Sequence, residues 1–118
     1  MNSYHQGKWA ELLARLYFLS RGYRTVAHNY ITGRGTTAGE IDLIVKRGRQ
    51  LIFVEVKQRQ TLATAAYAIL PAQQQRIIRG AQSFLQHFPQ YQNCQMRFDS
   101  FLVVLPWHIR HIKNAWTL

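Results

Sequence analysis

Glu40, Asp42 and Glu55 are three of only five carboxylate side chains in a 118-residue chain, and Lys57 stands two positions after Glu55. Two acids and an ammonium at strand spacing suffice to hold a hard divalent cation and to orient a water against a phosphodiester. The stretch that carries them, GEIDLIVKRGRQLIFVEVKQR from Gly39 to Arg59, is otherwise apolar and basic. Carboxylates gathered there need a positive counterpart, and Mg²⁺ or Mn²⁺ is the candidate that suits them.

The spacing follows from a hairpin. Gly48 and Arg49 form the two central residues of a type II′ turn, where the first must take a positive φ. Opposed positions then sum to 97, so Asp42 faces Glu55, Glu40 faces Lys57, Ile44 faces Phe53 and Lys46 faces Leu51. Alternation puts Ile41, Leu43, Val45, Ile52, Val54 and Val56 on one aliphatic core face, and a one-residue slip would mix the two sets. Asp42 and Glu55, ~5 Å apart, repel by roughly 3 kcal/mol at an effective dielectric of ~20. A divalent ion relieves that repulsion; the competing reading is a solvated cross-strand network of alternating charges. Glu40 either reaches an ion through water or pairs with Lys57.

Composition points toward the same chemistry. Fifteen Lys and Arg against five acids give a formal charge of +10. That excess predicts a phosphate-rich partner, nucleic acid before an anionic membrane. Arg34, Lys46, Arg47 and Arg49, on loops and turns, are candidate phosphate contacts, and Arg76 and Arg79 are weighed with them. A lone Cys94 excludes an internal disulfide and fits a reducing compartment. No apolar run approaches the ~20 residues of a membrane span, and the N-terminus lacks a signal-peptide pattern. The expectation is one soluble cytoplasmic domain over residues 1–118.

The elements that must position these residues can be read in order. A helix is predicted over 4–20, with a capping box of Ser3 and Gln6 and an apolar stripe of Trp9, Leu12, Leu13, Leu16 and Tyr17. A strand over 23–31, a glycine-rich loop over 32–39 and the hairpin follow. Pro71 opens a second helix with the stripe Ile77, Ile78, Ala81, Phe84, Leu85 and Phe88. Phe98–Pro106 is a strand, and the tail WHIRHIKNAWTL is read as another. The class is α/β with a mixed central sheet.

At GEIDLI, FVEVKQR, RFD, IRHIKNAW and the N-terminal GKWAELLA, the sequence resembles the YraN-like bacterial family. That family is related to archaeal Holliday-junction resolvases within the PD-(D/E)xK nuclease superfamily. The resemblance implies a restriction-endonuclease-like α-β-β-β-α-β three-layer domain. It also implies that Asp42 and Glu55 bind Mg²⁺, that Lys57 positions the attacking water and that a helix acid, Glu11, completes the cluster. Gln73 stands where the family often shows Lys, so Gln73 or Gln74 supplies the polar group of the second helix. Implied too are DNA as substrate, branched DNA in particular, a 5′-phosphate product and a homodimer matched to a four-way junction. A catalytically inactive nucleic-acid-binding module of the same fold is the alternative, and a protein-interaction domain with a structural polar face is the third.

Pattern alone pulls against the resemblance at Glu11, which lies nearly opposite the Trp9–Leu12–Leu16 stripe and makes an exposed i,i+4 pair with Arg15. Asp99, beside Arg97, reads as structural, holding a basic side chain or a backbone amide. His108 and His111 read as surface or interface histidines. Tyr91, Trp107 and Trp116 could stack on bases or fill the core.

Overall fold

The computed structural model describes residues 3–33, 39–59, 69–104 and 108–116, with side chains from Lys8 onward. The side chains of the Ser3–Gln6 capping box, and Arg34 and Trp107, lie outside what the structure describes. Helix α1 (Ser3–Ser20) leads into strands β1 (Arg24–Thr32), β2 (Gly39–Arg47) and β3 (Gln50–Arg59). Helix α2 (Pro71–His87) and a 3-10 turn (Pro89–Tyr91) precede β4 (Gln95–Val104) and β5 (His108–Trp116). The tail is thus a strand, as its sequence suggests.

The five strands form one mixed sheet in the order β1-β2-β3-β4-β5. Only the β3–β4 pair is parallel, joined by the crossover through α2; the other pairs are antiparallel. The architecture is α/β, α1-β1-β2-β3-α2-β4-β5, consistent with a restriction-endonuclease-like fold. Gly48, at φ +58, makes the tight turn. The hairpin keeps the expected register from Arg47↔Gln50 to Leu43↔Val54.

Helices cover both faces of the sheet. Leu43, Val45, Ile52 and Val54 pack under Ala10, Ala14 and Phe18 of α1. Ile44, Leu51 and Phe53 pack under Ile77, Ala81 and Phe84 of α2. Ile41 departs from the expected face and joins the α2 cluster. Its strand leaves the β3 ladder beyond Leu43, and Gly39 lies directly against α2. A Cβ on Gly39 would stand 2.4 Å from the Gly80 nitrogen, so the close seat of the helix requires glycine there.

The orientation of α1 keeps part of the predicted stripe and corrects the rest. Leu13 and Tyr17 pack against the core beside Ala10, Ala14 and Phe18, whereas Trp9, Leu12, Leu16 and Leu19 are 44%, 44%, 55% and 62% exposed. Small residues let the helix lie close to the strands, and the bulkier row is turned outward. The candidate base-stackers that are described are core: Tyr91 packs on Phe84, and Trp116 stacks on Phe98 with centroids 5.5 Å apart.

Candidate metal centre

Beyond Leu43↔Val54 the two hairpin strands part, and Asp42 occupies the fork. Its Oδ2 accepts a hydrogen bond from the Val56 N–H at 2.8 Å, taking the place of a strand partner. Asp42 and Glu55 are hydrogen-bonded through their carboxyl groups. Lys57 Nζ lies 2.9 Å from Glu55 Oε1. These three side chains and Glu40 line one open polar pocket of about 170 Å³, with Gln73 and Arg76 of α2 on its other wall.

One expected pairing changes at both ends. Glu40 does not meet Lys57; its Oε2 accepts from Arg76 Nη2 at 2.7 Å, because the parted strand carries Glu40 toward α2. Lys57 pairs instead with Glu55 on its own strand. Arg76, weighed from sequence as a solvated charge, is therefore a wall of the pocket.

The electrostatics are those of two acids with too little compensating charge. Burial, then the neighbouring Asp42, push Glu55 from its usual 4.5 up to about 8, with Lys57 pulling the other way. Burial also raises Asp42, against the lowering effect of the Val56 N–H. The metal-free pair therefore holds a shared proton near neutrality.

Glu11 reaches Asp42 from the α1 face of the sheet. Burial first and Asp42 second raise its pKa, and it is hydrogen-bonded to Asn29. Asn29 has φ +52 and sits in β1 between the pairs His28↔Leu43 and Tyr30↔Ile41, beside Asp42. Nothing in the sequence singled out Asn29 or its neighbour His28. Arg15, the partner expected from pattern, still acts on Glu11, but Glu11 is half-buried and also meets Asp42 and Asn29, because a residue opposite the outward row of α1 points inward. Gln58 Oε1 is buried without a hydrogen-bond partner among the described residues, in a small cavity shared with Glu11 and Asp42.

The remaining predicted contacts lie elsewhere. Lys46, Arg47 and Arg49 cluster at the hairpin turn, some five residues, or ~17 Å, along the strand from Asp42. Lys46 Nζ bonds the Gly48 carbonyl. Arg47 donates to the Arg21 carbonyl at 2.9 Å and stacks over Tyr23. Gln73 lines the pocket while its Oε1 accepts from the Leu70 N–H at the start of α2. Gln74 turns to the Ile69 carbonyl.

Among the described residues, no three His, Cys, Asp or Glu side chains are grouped so as to hold an ion by themselves. Mg²⁺ does not need three: it takes one or two carboxylates and keeps several waters. A mutually repelling Asp42–Glu55 pair, with the orphaned Gln58 amide oxygen beside Asp42, fits a hydrated cation of that kind.

A family model described as an uncharacterised protein family, UPF0102, matches residues 10–103, from within α1 to the penultimate residue of β4. The chain belongs to the UPF0102 family. UPF0102 is the YraN family that the sequence motifs resemble. A UPF0102 protein of Paramagnetospirillum magneticum is 46% identical over 114 residues, covering 96% of this chain and 88% of the relative. One of Nitrobacter winogradskyi is 41% identical, covering 97% and 93%. One of Parvibaculum lavamentivorans is 44% identical, covering 97% and 83%. The matched region of this UPF0102 chain includes Glu11, Glu40, Asp42, Glu55, Lys57, Gln73 and Arg76. Among the described residues, no helix is long and apolar enough to cross a membrane.

Proposed function

We propose that the chain is a Mg²⁺- or Mn²⁺-dependent phosphodiesterase acting on nucleic acid, DNA and especially branched DNA first, and leaving a 5′-phosphate. The observation that carries the reading is the Asp42–Glu55 pair with Lys57 on its edge, in one open pocket. A chain of formal charge +10 has otherwise no reason to bury two mutually repelling acids together. The resemblance to resolvase-like nucleases supports the substrate class.

A divalent ion bound by such a pair supplies polarisation of a phosphoryl oxygen and acidification of a water. The chain's own residues do the rest. The Val56 N–H fixes the Asp42 carboxylate. Lys57, steered by Glu55, orients the water for in-line attack and offsets charge building on the phosphate. Arg76, on the opposite wall, carries a guanidinium that can pass from Glu40 to a phosphate oxygen of the bound strand. Glu11 adds negative charge behind Asp42.

Calorimetry with Mn²⁺ tests the ion: a binding event in the wild type that is lost in Asp42→Ala is expected. Labelled duplex, single-stranded and four-way DNA then test the reaction, with cleavage lost in both Asp42→Ala and Lys57→Ala. Cleavage surviving both substitutions would identify a contaminant. Salt-sensitive DNA binding without cleavage would assign the fold to a binding module.

A further inference from the structure

The outward row on α1 has the spacing of a helix-pairing seam. Trp9, Leu12, Leu16 and Leu19 follow intervals of three, four and three, the a and d positions of two heptads. All four are between 44% and 62% exposed. Rows of large apolar side chains in water mark interaction sites rather than ordinary surface. The narrowness of the row, two positions in seven, suits another helix better than the broad apolar face of a membrane-surface helix.

The rim of the row states the charge of its partner. Lys8 and Arg15 take the g positions on one side, and no acid stands at an e or g position. Beside Leu12 lies a pocket of about 170 Å³ in which two cationic side chains, Lys8 and Arg15, stand with one acid, Glu11. A second copy of the chain cannot supply the complement. Antiparallel self-pairing sets g against g, Lys8 and Arg15 against their own counterparts. All five carboxylate side chains are already engaged: Glu11, Asp42 and Glu55 around the fork, Glu40 with Arg76, and Asp99 buried with Arg97.

We propose that this face of α1 is the docking site for an acidic amphipathic helix of a different protein, with apolar residues at a and d and Asp or Glu at the flanking positions. Binding occurs on the side of α1 away from the sheet and does not depend on the metal pair.

The test uses two labelled peptides of about 21 residues with Leu at every a and d position, one with Glu and one with Lys at e and g. Anisotropy titrations against the full chain are expected to show binding of the Glu peptide only. That binding should weaken about tenfold or more in Leu16→Gln and in Arg15→Glu, and should weaken with salt. Asp42→Asn should bind as the wild type does. Circular dichroism should show Leu16→Gln melting as the wild type does, since Leu16 is outside the core. Binding of neither peptide, or equal binding of both, overturns the proposal. So does a concentration-dependent dimer abolished by Leu16→Gln, which assigns the row to a second copy. Binding to phosphatidylserine vesicles that is lost in Leu16→Gln, with no peptide bound, assigns it to a lipid surface and overturns the proposal as well.

Discussion

Replacing Asp42 by Asn should make the metal-free protein more stable at pH 7.5. Glu55 sits at about 8 against a usual 4.5, burial being the larger cause and Asp42 the next. The folded state therefore binds this proton more tightly than the unfolded chain. The stability it supplies is full below pH 4.5 and is lost as the pH rises toward 8. One shared proton corresponds to about 1.4 kcal/mol per pH unit inside that window. Going from pH 5.5 to 7.5 thus removes up to about 3 kcal/mol, or ~10 °C of Tm for a domain of this size. An Asn at position 42 keeps an oxygen to accept from the Val56 N–H and gains an N–H to donate to Glu55. It abolishes the repulsion and leaves the burial cost, so part of the loss, on the order of 1 kcal/mol or ~5 °C, should be recovered. The assay is thermal melting in EDTA across pH 5 to 8.5, read as the difference between variant and wild type so that other titrating groups cancel. A difference that is flat with pH, or a variant less stable than the wild type at pH 7.5, refutes the reasoning.

Mn²⁺ should reverse the same loss in the wild type, raising stability by ~2.7 kcal/mol at a hundredfold excess over its Kd; by differential scanning fluorimetry it should leave Asp42→Asn unmoved. Gly39→Ala sets a Cβ against the backbone of Gly80, which cannot give way. A loss of about 3 kcal/mol in urea titration is expected, together with weaker DNA binding as α2 lifts Arg76 from the pocket. Asp99 is fully buried and accepts from Arg97 Nε and Nη2, the Asn114 N–H and His111. Its removal in Asp99→Ala should cost about 3 kcal/mol, measured by denaturant melts, by stranding those donors. Because its partners hold Asp99 below its usual 3.8, their contribution should fade only as the pH drops through that region and beyond.

The hairpin was legible because two independent constraints agreed. Gly48 demanded the turn, and the alternation of six aliphatic residues demanded the register. The same logic stopped at Asp42, since a ladder that opens carries no period to read; hence Glu40 was matched to Lys57 although it belongs with Arg76. Asp99 was legible as a structural acid from Arg97 beside it, but its His111 partner was not, since their pairing exists only once β5 lies against β4. Helix α1 is apolar on two sides, so the predicted stripe straddles them: Leu13 and Tyr17 lie on the packed side, Trp9, Leu12 and Leu16 on the outer one. The alanines at 10 and 14 bury better than leucines because they admit the sheet at close range. That single rotation also turns Glu11 from a surface charge into a neighbour of Asp42.

Tyr17 of α1 and Asp99 of β4 lie on opposite ring nitrogens of His111, Tyr17 Oη at 2.8 Å from Nδ1 and Asp99 Oδ2 at 2.7 Å from Nε2. The first helix and the last strand are thereby braced into one mechanical unit. A tag or cleavage that loosens the C-terminal strand will slacken the N-terminal helix with it, and Glu11 will drift from the acid pair although neither lies anywhere near the cut.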